Sequence, residues 1–380
     1  MIYMDHSATT PVDPEVVAAM SPYWTELYGN PSSLYGLGRR AAAALQSARE
    51  TVAGLLHCEP AEIVFTSCGT ESDNLAIRGI ALAAAARGQR HLITTPIEHP
   101  AVLHTVADLV ERFDCEVTHV PVDRAGMVDP QAVEAAIRPD TALISVMLAN
   151  NEVGTVEPVA EIGAIARRHG VPFHTDAVQA GAYLPLDVQA LNVDLLALSA
   201  HKFHGPKGVG LLYVRKGLRL MTTQTGGSQE RARRAGTENV PYIVGMARAL
   251  ELAGERRPSE TERLIALRER LIEGVLDRIP DVEVSGHRTE RLPGHASLII
   301  YGVEAQSLLI GLDLAGIAAS SGSACASGAP TPSGVLRAMG YAPNDALGAL
   351  RLTLGRSNTD ADVDTLLEVL PPIVRRVRGG

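Results

Sequence analysis

The stretch LLALSAHKFHGPKGVGLLYV carries an apolar run into a small-residue turn that holds Ser199, His201 and Lys202. A lysine amine can form a Schiff base with an aldehyde, and a hydroxyl and an imidazole beside it suit a phosphate. Together the three suggest pyridoxal phosphate (PLP). An isolated His–Lys pair is more often a solvated loop, because lysine is mostly exposed, so the rest of the chain has to decide. Twenty-six residues upstream, VPFHTDAVQAG reads as a buried strand ending in Asp176, with Gln179 three positions on. A carboxylate facing the pyridine nitrogen keeps that ring protonated and able to accept electrons, and Gln179 could hydrogen-bond the ring's phenolic oxygen. By itself Asp176 reads equally well as a helix N-cap after a strand.

The third element is EIVFTSCGTESDNLAIRGIAL: a strand over Ile63 to Phe65, a small-residue turn, then a helix with apolar positions at Leu75, Ile77, Ile80 and Leu82. The free N–H groups at the start of that helix would face an anion. Gly69 allows close approach of the backbone, and Thr70 offers both an N–H and a hydroxyl to a phosphate. Thr70 and Asp73 also fit an ordinary capping box. The chain has no GxxxxGKS pattern and no GxGxxG after a strand, which argues against nucleotide binding.

These motifs need a scaffold that gathers strand ends. Apolar strands alternate with amphipathic helical stretches from about residue 50 to 250, the pattern of an α/β fold with a mostly parallel sheet whose strand ends carry the site. Helix-rich sequence follows, with Pro258 and Ser259 marking a start and Leu264, Leu267, Leu271 and Val275 one apolar face. The chain has 380 residues, 46% of them hydrophobic, enough for at least one large core and long enough for two domains. The four cysteines, at 58, 68, 115 and 325, form no CxxC pair, so neither a structural metal site nor a disulfide framework is expected. A net charge of −9 argues against direct nucleic-acid binding. No run approaches a membrane span and the N-terminus lacks a signal pattern, so a soluble, cytoplasmic protein is expected. In ASSGSACASGAPTPSG, Ala, Ser, Gly and Pro leave little apolar area to pin the chain. Disorder is expected there, with Cys325 exposed rather than packed, a placement that favours chemistry over packing.

Read in order, the motifs resemble those of the cysteine desulfurases, in the class V aminotransferase family with its aspartate-aminotransferase-like (type I) PLP fold. The likeness runs almost end to end. It covers MDHSATTPVDP, GNPSS, FTSCGTESDN, EHPAVL, ANNEVGT, FHTDAVQA, SAHKFHGPKG, GGSQERARRAGTEN, SSGSACASG and RLTLGR, and is nearest to the branch serving nitrogen fixation and housekeeping iron–sulfur assembly. The resemblance implies a mostly parallel seven-stranded sheet in a large domain (15–255) and a smaller α+β domain (1–14 and 256–380) bearing the cysteine loop. It makes Lys202 the Schiff-base lysine, Asp176 the pyridinium partner and Gln179 the donor to the phenolic oxygen. Gly69, Thr70, Ser199 and His201 would form the phosphate site. His99 would stack on the ring and move protons, and Asn151 and Arg351 would bind the substrate carboxylate. Thr237 would reach the cofactor of a neighbouring subunit, implying a homodimer with shared sites. The implied reaction converts L-cysteine to L-alanine and leaves a persulfide on Cys325 for an iron–sulfur scaffold or sulfur carrier. A free thiol near pKa 8.5 is only about 3% thiolate at neutral pH, so a nearby proton sink is expected, either His99 or the substrate amine.

Overall fold

A computed structural model describes residues 1–322 and 331–379. Twelve strands are formed among them: β1 (Ile2–Tyr3), β2 (Ile63–Thr66), β3 (His91–Thr94), β4 (Glu116–His119), β5 (Thr141–Ser145), β6 (Phe173–Asp176), β7 (Leu195–Ser199), β8 (Gly210–Val214), β9 (Val282–Val284), β10 (His295–Ile300), β11 (Ile317–Ala318) and β12 (Ala349–Thr353). Seven of them make one sheet in the order β2-β8-β7-β6-β5-β3-β4. Only β8 runs against the rest, antiparallel to both β2 and β7, so β2, β3, β5, β6 and β7 all end on the same edge. Apolar side chains are buried on both faces, as a sheet covered by helices on each side requires. The sheet bears out the expected mostly parallel α/β architecture.

A second sheet, β12-β10-β9, is antiparallel and has its own core. That core gathers Leu298, Leu350 and Leu352 with Leu264, Leu267, Leu271 and Val275. The last four are the helical face read from the sequence, but the helix does not begin at Pro258. It runs unbroken from Val240 to Arg278 with Pro258 inside it. Its N-terminal half packs Ile243, Met246 and Leu250 into the large sheet's core and its C-terminal half joins the small one. Burial at both ends outweighs the one backbone hydrogen bond that proline cannot make. A smaller cluster, including Ile97, Met147, Ile299 and Leu336, joins the loops after β3 and β5 to the small sheet.

The strand β2, which leads into the Gly69–Thr70 turn, is braced by a loop distant in the chain. Glu230, Arg231 and Ala232 all have left-handed backbone, with φ of 47°, 57° and 60°, a run non-glycine residues rarely adopt. A buried ion pair holds it: Arg49 grips Glu230 bidentately at 2.6 and 2.9 Å, and Glu230 also accepts from Phe65 N at 3.0 Å. Glu230→Ala would leave the Arg49 guanidinium buried with the Ile63 carbonyl but no charge partner. A loss of about 3–5 kcal/mol is expected, seen as a melting temperature lowered by several degrees.

Candidate active site

At the common edge of the large sheet, strand ends enclose a cavity of about 390 Å³, within the usual range for a small-molecule site. Gly69 and Thr70 reach it from the loop after β2, His99 from after β3, Asn151 from after β5, Asp176 and Gln179 from β6, and Ser199, His201 and Lys202 from β7. Arg351 enters from β12, and Ser320 and Gly322 from just beyond β11. Nine of the residues singled out in the sequence, with Arg351, thus share one cavity. Thr237 does not; within its own chain it lines a separate hollow with Ser67, Glu230 and Arg234. Cys325 and the loop disorder expected around it lie outside the described residues.

Lys202 Nζ donates to the carbonyls of Ser7 at 2.6 Å and Ala8 at 2.9 Å. Burial, then the Arg351 charge, pulls its pKa down to about 8, with Asp176 and Asp5 pulling the other way. Asp176 is 5% exposed. Its Oδ1 accepts from Val178 N at 2.9 Å, closing a turn rather than capping a helix. Burial pushes the Asp176 pKa up, while His99, the Val178 N–H and Lys202 pull it back. Gln179 Nε2 donates to Ser7 O at 3.0 Å.

The phosphate loop differs from the capping-box expectation. The helix Gly69–Ala85 is capped by Cys68, which makes no side-chain cap bond, so Thr70 falls inside the first turn and Asp73 is buried beneath it. The helix starts too early for Thr70 and Asp73 to pair as a cap, which leaves its N-terminus as an anion cradle. A Cβ on Gly69 would meet Val178 Cγ2 at 2.7 Å, so this close approach needs glycine. His201, its pKa lowered to about 4 by burial and the charges of Lys202 and Lys207, is neutral at physiological pH. Its Nδ1 lies 3.1 Å from Thr9 Oγ1.

His99 caps the helix Pro100–Phe113, its Nδ1 accepting from Ala101 N at 3.0 Å. Burial lowers its pKa, opposed by Asp176 and assisted by Lys202. An imidazole that accepts at Nδ1 and is neutral carries its proton on Nε2. In this arrangement His99 is a proton donor, and the expected role as sink for a thiol proton would cost its cap bond.

Beneath Asp176 lie further acids. Asp73 Oδ1 is 3.5 Å from His174 Nε2, both fully buried and neither hydrogen-bonded there. Burial, with Asp176, Glu98 and Cys68 nearby, raises the Asp73 pKa, and burial drives His174 down to about 3. Burial likewise pushes Glu98 up to about 8. Of these acids, Asp176 is the one for which His99, the Val178 N–H and Lys202 oppose the effect of burial. The sequence did not point to Asp5, Ser7, Ala8 or this buried layer. Ser7 and Ala8 act through main-chain carbonyls, which any residue carries, and only the MDHSATT string hinted at that segment.

The residues fit PLP. An amine and a buried carboxylate face one space, and the adjoining helix N-terminus is left open to an anion. With the mostly parallel seven-stranded sheet and a second small sheet, they define a type I PLP-dependent enzyme. The chain belongs to the class-V aminotransferase family, whose model matches residues 2–366. It is 53% identical over 377 residues to the cysteine desulfurase IscS of Methanosarcina thermophila, covering 99% of this chain and 93% of the relative. Against the cysteine desulfurase IscS of Clostridium botulinum (strain Hall) it is 48% identical, covering 99% and 95%. Among solved structures, a NifS-like protein superposes with a TM-score of 0.92 at 38% identity over 99% of both chains. SspA in complex with cysteine superposes at 0.83 with 36% identity, covering 93% of this chain and 99% of that one. Among the described residues, no helix is long and apolar enough to cross a membrane, and no group of three or more His, Cys, Asp or Glu is placed to hold a metal ion.

Proposed function

We propose that this protein is a PLP-dependent cysteine desulfurase that converts L-cysteine to L-alanine and passes the sulfur to Cys325 as a persulfide. The observation that carries the reading is Lys202 Nζ in one buried cavity with Asp176 and Arg351. When bound, PLP supplies the electron sink that makes bonds near the substrate α-carbon breakable. Asp176 holds the ring nitrogen protonated. Gly69, Thr70, Ser199 and His201 hold the phosphate. Arg351 and Asn151 take the substrate carboxylate, and Lys202, with its depressed pKa, removes the α-proton as a neutral base. The Cys325 thiolate then forms an S–S bond to the substrate sulfur as the Cβ–S bond breaks, and the carbon skeleton takes up protons and leaves as alanine. His99 would relay one of those protons. The thiol proton of Cys325 goes to the substrate amine, since His99 is turned to donate.

The same reading gives a large lobe (15–255), a small lobe (1–14 and 256–380) and a homodimer in which Thr237 serves the neighbouring subunit's phosphate. Support for the dimer comes from Thr237 lining a hollow apart from its own chain's cavity and from the exposed Trp24, Tyr28, Leu34 and Tyr35. The sulfur acceptor is an iron–sulfur scaffold or a sulfur-carrier protein in the cytoplasm. Purified protein loaded with PLP is expected to release alanine from L-cysteine in step with protein-bound persulfide. Yellow protein that consumes no cysteine would exclude this function.

A further inference from the structure

Arg351 stands on β12, an edge strand of the small sheet, yet its side chain is only 6% exposed. A buried guanidinium has to be held and neutralised by its surroundings. Nη1 donates to the Asn151 carbonyl at 2.8 Å and Nη2 to Asp5 Oδ1 at 2.8 Å, while Nε finds no acceptor. Asp5 stands just beyond β1, bridged to Thr353, two residues along from Arg351. It opens a tight turn. Ala8 N donates to Asp5 O at 3.0 Å, and Tyr3 Oη lies 2.9 Å from the carbonyls of both Asp5 and Thr9, its one proton shared between them. The same turn offers the Ser7 and Ala8 carbonyls to Lys202. One short segment therefore holds Arg351 through a side chain and Lys202 through its backbone.

We propose that Asp5 is the positioning residue of the carboxylate subsite, fixing the Arg351 guanidinium against the Asn151 carbonyl so that its unspent donors meet the α-carboxylate of the amino-acid substrate. This rests on the cysteine desulfurase reading of the cavity. A guanidinium offers five N–H donors in a rigid fork. With one N–H of each terminal nitrogen engaged, the plane cannot swing, and the remaining donors are presented in a single geometry. Asp5 also offsets a charge problem. Arg351 and Lys202 share the cavity as two cations, and Asp5 lies beside Arg351 with only 19% of its side chain exposed. Its carboxylate permits both cations to stay charged at close quarters and spares the second from the full repulsion of the first.

The test uses PLP-loaded wild type, Asp5→Ala and Asp5→Asn, with L-cysteine as substrate and cysteamine, which lacks the carboxylate, as competing ligand. Asp5→Ala is expected to raise KM for L-cysteine about tenfold, equivalent to about 1.4 kcal/mol, with kcat lowered by no more than about threefold and cysteamine inhibition unchanged. Asp5→Asn keeps an oxygen acceptor without the charge and is expected to fall between; it also serves if the alanine variant does not fold. An unmoved KM in an active enzyme overturns the role of Asp5, as does an equal weakening of cysteine and cysteamine. Wild type without desulfurase activity overturns the underlying reading and this proposal with it.

Discussion

Replacing Lys202 with alanine is expected to lower alanine formation from L-cysteine by at least about a thousandfold, within the range lost with a positioned acid–base group that also anchors a cofactor. The structure gives the reason. Nζ is pinned between the Ser7 and Ala8 carbonyls, within a cavity whose other members cannot replace it. His99 holds its lone pair on the Ala101 N–H, and His201 lies by Thr9. With its pKa brought down to about 8, about one tenth of the Lys202 amine is neutral at pH 7, against about 0.04% for an unperturbed lysine. Because the neutral amine is the reactive form, covalent uptake of PLP by the cofactor-free protein is expected to accelerate as pH rises and to level off above about 8. A stopped-flow trace of the visible band against pH measures this. A midpoint near that of free lysine would contradict the burial that the structure describes, and a Lys202→Ala protein keeping its cofactor through denaturation would remove the anchor altogether.

What could be read from the sequence and what could not divide along a physical line. Lys202, Asp176, His99 and the Gly69–Thr70 turn are legible because each follows a buried strand, and parallel strands of one sheet deliver their ends to one edge. Side-chain chemistry at a strand end is therefore a local signal with a global address. The N-terminal turn has no such signal. Ser7 and Ala8 contribute carbonyl groups, and Asp5 matters through Arg351, 346 positions away in the chain. Thr70 and Asp73 were open to two readings because a capping box and a phosphate cradle use the same residues. Only the actual start of the helix at Gly69 decides between them. Pro258 misleads for the opposite reason: local propensity marks a helix start, while burial of both halves of a 39-residue helix in two cores overrides it.

Asp176 shares its buried place with two other carboxyl groups, Asp73 and Glu98. If Asp73, Glu98 and Asp176 all carried charge, their mutual repulsion at low dielectric would be prohibitive. Burial accordingly raises the pKa of all three. Asp176 differs in having His99, the Val178 N–H and Lys202 to pull its pKa back. The proposed partner of a pyridinium thus finds the counterweight to its burial within the same cavity.

Cys325→Ala is expected to cut alanine formation by at least about a hundredfold, while addition of L-cysteine still perturbs the visible spectrum of the bound cofactor. The split follows from where the parts sit. The groups proposed to hold the amino acid are fixed by other partners, Arg351 by Asp5 and the Asn151 carbonyl and Lys202 by the Ser7 and Ala8 carbonyls, so binding and the early proton transfer are expected to survive the loss of Cys325. Sulfur removal is not expected to survive, because two of the other thiols, Cys58 and Cys115, are poorly suited. Burial and the charges of Glu62 and Glu59 push Cys58 up to about 12, and burial raises Cys115 as well, so neither is an effective thiolate near neutral pH. Cys68 is the one described thiol at the cavity, and its place as N-cap of the Gly69–Ala85 helix sets it beside the phosphate cradle. Gly322 lines the cavity next to Glu152, and Ser333 Oγ donates to the Glu152 carboxylate, one residue from Asn151. Mass spectrometry of the wild type after a single turnover should find the added sulfur on Cys325. Full alanine production by Cys325→Ala would mean that sulfur leaves without a protein thiol, and the enzyme would then be a lyase of the same fold.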